Sequence, residues 1–295
     1  MNMNPIYKRE TKAAVRTIRL PLIIVIFNGL LALVALLSMY SNVEQVKVTA
    51  DIQYTAFLDL YGFVASLEFV LLILIMPALT SSTISSERER KTLDIMLTTG
   101  LTPEKIVRGK LAAACTSLFL IIVSSFPVMA LVFVYGGIRW KDIGMLMMCY
   151  LVSALFAGSI GICCSAGFKK STVSTVAAYG IMAVVVAGTY AANEFAASLS
   201  RMEAATYTGI QAAQGEIGSG GFIYLLLANP AVTFFITISK QLSPTEHPIE
   251  NWFGGHQTSI ITDYWIWISM AVQLAAAVIL ILLAIRMVNP KRWRK

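Results

Sequence analysis

The apolar positions of this chain fall into long runs separated by short polar segments. Six runs stand out, near residues 20–40, 57–80, 111–135, 144–167, 173–192 and 264–287. Each holds roughly 20 residues or more, and about 20 residues at 1.5 Å rise cross the hydrocarbon core of a bilayer. The pattern predicts an all-α integral membrane protein with six transmembrane helices, organised as a single transmembrane domain over residues 1–295. The first run follows a charged segment, and no small-residue cleavage site comes after Met39. It reads as a retained membrane anchor.

Three segments between the runs have patterns of their own. On a helical projection of residues 5–19, Lys8, Arg9, Lys12, Arg16 and Arg19 fall within about a 100° sector, with Ile6, Ala13 and Thr17 opposite. This predicts an amphipathic helix along the membrane surface that turns into the first span at Pro21. Residues 84–100 predict a second surface helix. Ser86-x-x-Glu89 has the form of a capping box, Leu93, Met96 and Leu97 form an apolar stripe, and Gly100 supplies a stop. Thr102-Pro103-Glu104 then starts the next helix, with Thr as cap. Residues 193–263 form a long outer loop whose apolar middle, Phe222 to Ser239, is split by Asn229-Pro230. Proline breaks a helix interior, so this segment predicts two re-entrant half-helices, with a surface-lying amphipathic segment as the other reading.

Composition closes off other classes. Hydrophobic residues make up 57% of the chain and charged residues 13%, and the mean hydropathy is +0.72. An ordinary soluble domain carries about 25% charge, so a soluble enzyme, a disordered tail and a coiled coil are all excluded. The net charge of +7 is not a nucleic-acid signature, because no basic and aromatic binding face is present. Instead, 18 of the 23 Lys and Arg fall in the N-terminal arm, residues 81–110, the 168–172 turn and the C-terminal tail. The positive-inside rule then places both termini in the cytoplasm of a multi-pass protein of the cytoplasmic (inner) membrane. The tail, Lys291 to Lys295 with Trp293, suits anionic lipid headgroups.

Candidate chemistry is sparse. Cys115, Cys149, Cys163 and Cys164 all lie in apolar runs without C-x-x-C spacing. His247, His256, Glu246 and Glu250 share the outer loop without a ligand spacing, so no metal site is expected. No phosphate loop occurs, since Gly109-Lys110 lacks its upstream glycine and is followed by Leu111. H-E-x-x-H, G-x-S-x-G and kinase signatures are absent as well. The chain is therefore not expected to be an enzyme or to hold a cofactor. Glu68 stands out in the second span, where an ionisable group is costly and marks a functional candidate. Asn28 in the first span and Gln273 in the sixth join it as candidates for a translocation path or for bonds between helices. Pro127 predicts a kink in the third span. Ala183, Ala187 and Ala191, and Ala157 with Gly161, have the spacing of close helix packing.

The stretch 77–111 carries a resemblance. Pro77-Ala78-Leu79, Ile84-Ser85-Ser86-Glu87-Arg88-Glu89, Lys91-Thr92-Leu93-Asp94, Thr98 to Pro103 and Gly109-Lys110-Leu111 resemble permease subunits of ABC-2-type transporters, the group that includes gliding-associated and copper-enzyme-maturation permeases. Lys91 departs from the smaller residue or Gln of many relatives. The resemblance implies a permease paired with a second copy or a sister permease, each docking a separate ABC ATPase that holds ATP and Mg. Residues 84–100 would be the coupling helix, with Glu87, Arg88, Arg90, Lys91, Thr92, Leu93 and Met96 contacting the ATPase. The substrate would move outward. Two readings stand beside it. One is an ATPase-independent membrane enzyme or scaffold, and the other is ion-coupled transport centred on Glu68.

Overall fold

The computed structural model describes residues 5–49, 54–136, 139–206, 219–242, 261 and 264–289. Among these residues every regular element is helical. α1 (Pro5–Arg16) breaks at Thr17 and leads into α2 (Arg19–Thr49). α3 (Tyr54–Thr80) is followed by two short helices, α4 (Ser85–Glu89) and α5 (Thr92–Thr98). α6 (Pro103–Gly136) and α7 (Trp140–Gly167) come next. α8 (Ser171–Ala183) continues through a π-helical turn (Val184–Gly188) into α9 (Thr189–Thr206). A 3-10 helix (Gly220–Ala228), α10 (Pro230–Leu242) and α11 (Trp265–Val288) complete the chain. Six helices, α8 to α9 counting as one, are long and apolar enough to cross a membrane, so this is a multi-pass membrane protein.

The spans are not equivalent. In α7, 72% of the apolar window is buried, against 17% in α2 and 17% in the α8–α9 span. α7 is therefore the central post, packed by α3, α6, α8, α10 and α11. Its small residues explain why. A Cβ on Gly161 would collide with the Thr80 side chain of α3, so only glycine allows that approach. Halfway along, Phe69 of α3 stacks on Phe234 of α10 with ring centroids 4.3 Å apart, and Tyr150 of α7 flanks both. By contrast, Ala183, Ala187 and Ala191 are exposed in the single chain.

Several expectations need correction. The single helix over 84–100 is two helices, broken where Lys91 adopts a left-handed φ of 57°. Ser86 and Glu89 form no capping box, because α4 begins at Ser85 with Ile84 as its N-cap residue, which puts Ser86 inside the helix, and Glu89 bonds Ser171 of α8. The fifth span does not end near 192, since α9 runs on to Thr206. On α1 the inward face is Ile6, Tyr7, Glu10 and Ala14, while Ala13 is exposed. Gly100, at φ 81°, does end the second surface helix, and Thr102 Oγ accepts the Lys105 amide at the start of α6. Asn229-Pro230 does break its segment. The two halves meet at 94°, with Asn229 Oδ1 capping α10 through the Ala231 amide. Glu246, His247, Glu250 and His256 lie outside the described residues, as does the tail from residue 290.

Candidate functional site

Among the described residues a densely bonded polar region lies where α1, α4 and the start of α6 meet, beyond the end of α3 at Thr80. Four side chains close a ring of alternating charge there. Arg9 Nη2 sits 3.0 Å from both Glu10 Oε1 and Glu87 Oε1. Lys110 Nζ completes it, 3.1 Å from Glu10 Oε1 and 3.5 Å from Glu87 Oε1. Lys110 is only 4% exposed and Arg9 is 55% exposed, so the ring runs from the interior to the surface. Lone buried charges are costly, and mutual pairing offsets the loss of hydration. Burial alone would push Glu87 up. The hydrogen bond from Thr92, with Lys110 and Arg9, outweighs it and holds the carboxyl below its usual range. Arg9 Nη1 also reaches the Met96 sulfur of α5, and Tyr7 bonds Thr116 of α6 at 3.1 Å.

α4 is fastened on its other sides too. Ser165 Oγ of α7 accepts the Ile84 and Ser85 amides at 2.8 and 3.0 Å. Arg88 donates to Ala166 O and Phe168 O, at the end of α7. Glu89 accepts the backbone amide and hydroxyl of Ser171, and these bonds hold its carboxyl below the usual range. Exposed on α4, α5 and the turn between them are Arg90, Lys91, Asp94, Ile95 and Thr98, and Glu89 is exposed as well while it holds Ser171.

The sequence model of a family described as "ABC-2 family transporter protein" matches residues 4–289. This chain belongs to the ABC-2 transporter family. No curated protein matches it. As an ABC-2 family member, it is the membrane subunit of a transporter.

The site residues expected for an ABC-2 permease divide into two sets. Glu87, Thr92, Leu93 and Met96 turn inward. Leu93 and Met96 are buried, and Thr92 Oγ bonds both the Glu87 carbonyl and its carboxylate. Arg88 is half-buried against α7. Arg90 and Lys91 are exposed. The apolar stripe was a true signal of one face, but that face meets the protein's own helices.

The three polar candidates in the spans do not converge on one point. Asn28 Nδ2 donates to Ser124 Oγ of α6 at 2.8 Å, and Ser125 Oγ donates to Glu68 Oε1 at 2.5 Å. Gln273 Nε2 donates to Thr233 Oγ and Ser269 Oγ, between α10 and α11. Each joins helix to helix, and among the described residues Asn28 Oδ1, Glu68 Oε2 and Gln273 Oε1 are buried without a partner.

Sequence reasoning did not single out Glu10 or Ser165, and it read Arg9 as a surface cation, Lys110 as part of a motif and Asn229 as part of a break, none of them as the bonding residues they are. Two signals were present. Glu10 is the one acid in a basic arm, and Lys110 directly precedes an apolar run. Asn229 does more than cap α10, since its Nδ2 donates to Val186 O in the π-helical turn and to Thr189 Oγ.

Proposed function

We propose that this chain is the permease subunit of an ATP-driven exporter. A separate ABC ATPase docks on the outward face of α4 and α5, on the cytoplasmic side. Its ATP-driven closure moves these helices and drives substrate outward. The observation that carries this reading is the two-sidedness of α4–α5. Their inner face is fastened to α1, α6, α7 and α8, while Arg90, Lys91, Asp94 and Ile95 stay exposed. A short helix pair bonded to four elements on one side and bare on the other is suited to take a push from outside.

Other features support the same reading. The clustering of Lys and Arg supports a cytoplasmic location for this end. The exposed alanine stripe on the α8–α9 span supports close approach by a second permease copy or a sister permease. The 94° break at Asn229 supports half-helices that enter the membrane from outside.

The test is Arg90→Glu with Lys91→Glu. The doubly substituted permease, tagged and purified in mild detergent, is expected to lose its co-purifying ATPase while its melting temperature stays the same. Among the described residues neither side chain has a hydrogen bond or salt bridge, and Arg90 acts on its neighbour Glu89 through charge alone. Undiminished ATPase recovery would overturn the reading.

A further inference from the structure

Three consecutive side chains leave α4 in three directions. Successive residues on a helix are about 100° apart, so three in a row cannot share a face. Glu87 goes to Arg9 of α1 and Lys110 of α6, at 3.0 and 3.5 Å. Arg88 goes to the last carbonyls of α7, with Nη2 2.9 Å from Ala166 O and Nη1 3.1 Å from Phe168 O. Glu89 goes to the first residue of α8, 2.9 Å from the Ser171 amide and 2.8 Å from its hydroxyl. The chemistry differs each time. Glu87 makes ion pairs. Arg88 sets a cation on a helix C-terminus and Glu89 an anion on a helix N-terminus, both favoured by the helix dipole. The partners belong to separate helices, with Phe168 and Ser171 three residues apart on either side of the α7–α8 turn.

We propose that Glu87, Arg88 and Glu89 are positioning residues that divide one displacement of α4 into three separable movements: of α1 with α6, of the end of α7, and of the start of α8. This rests on the docking reading above and adds to it that these three residues transmit the push without contacting the ATPase.

The experiment is hydrogen exchange on the permease–ATPase complex in lipid nanodiscs, with and without ATP and vanadate. In the wild type, nucleotide is expected to change deuterium uptake in α1, at residues 164–168 and in the first turns of α8. Glu87→Gln keeps a partner for Thr92 but drops both ion pairs, and is expected to lose the α1 response alone. Arg88→Ala is expected to lose the response at 164–168 alone. Glu89→Ala is expected to lose the α8 response, and Glu89→Asp to restore it. A purely structural role would instead raise exchange at rest without selective loss of a nucleotide response.

Equal loss of all three responses in any one variant would overturn separability, as would a variant whose own branch still responds. Loss of the ATPase from the three variants would make them partner contacts and overturn the proposal. Retention of the ATPase by Arg90→Glu/Lys91→Glu would instead overturn the docking reading, and this proposal with it.

Discussion

Glu68 and Glu87 both tie a neighbouring helix to α6, and they do so in opposite ways. Glu87 meets two cations and a hydroxyl at the basic end of the bundle. Glu68, fully buried inside α3, meets one serine hydroxyl, and its second oxygen has no partner among the described residues. Near it, Asn28 binds the adjacent Ser124 and likewise keeps a spare buried oxygen. The end of the bundle is thus fixed by full charges with few unused bonding positions. The middle is held by single hydrogen bonds that leave acceptors over. Charges are tolerable where water and headgroups lie close, whereas inside hydrocarbon a lone charge is costly. The difference teaches where the helices are clamped and where they retain freedom to exchange partners.

The sharpest way to break this contrast is Lys110→Ala. It leaves two carboxylates beside a single arginine, and is expected to destabilise the protein by about 3–5 kcal/mol, as other broken buried pairs do. Thermal unfolding in detergent measures it, and a loss no larger than that at the mid-span bonds would erase the distinction.

Protons attack the same ring more gently. A carboxyl held below its ordinary value in the folded state contributes stability above the unfolded value, about 4.3 for glutamate, and loses it as pH falls through the folded value. The melting temperature is therefore expected to fall below about pH 4.3, and less steeply in Glu87→Gln. Parallel curves for the two proteins would remove Glu87 from the ring's energetics.

Ser125→Ala should cost about 1 kcal/mol, the usual price of a buried acceptor left unmet, and the loss should be insensitive to salt. Asn28→Ala should cost least, about 0.6 kcal/mol, the average for hydrogen bonds between membrane helices. Unfolding in low and high salt checks both, since a salt-dependent loss at either position would place charge where only neutral bonds are described.

The sequence announces the spans because long apolar runs have no other stable outcome. It announces the break at Asn229-Pro230 and the stop at Gly100 because proline and glycine act locally. It misdirects at Ser86-x-x-Glu89, where α4 begins one residue before Ser86 and Ser171, distant in sequence, binds the Glu89 carboxylate. Periodicity puts Leu93 and Met96 on one face, yet it cannot say whether that face meets a partner or the chain's own core. Lys110 reads as one more loop cation, and only tertiary packing reveals its burial. The π-helical turn at Val184 leaves no mark in a run of valines.

α6 is unbroken from Pro103 to Gly136. At 1.5 Å per residue its 34 residues extend about 51 Å, well beyond a hydrocarbon core of about 30 Å. Lys110 and Ser125, both ahead of Pro127, lie about 22 Å apart along that helix. A bilayer whose surface lay at the ring would therefore hold the mid-span bonds deep in its hydrocarbon. The lipids themselves then act on the two ties unequally. An anionic leaflet beside Arg9 and its partners would act on the ring far more than on Glu68 and Asn28, and membrane composition would then tune how firmly that one end is clamped.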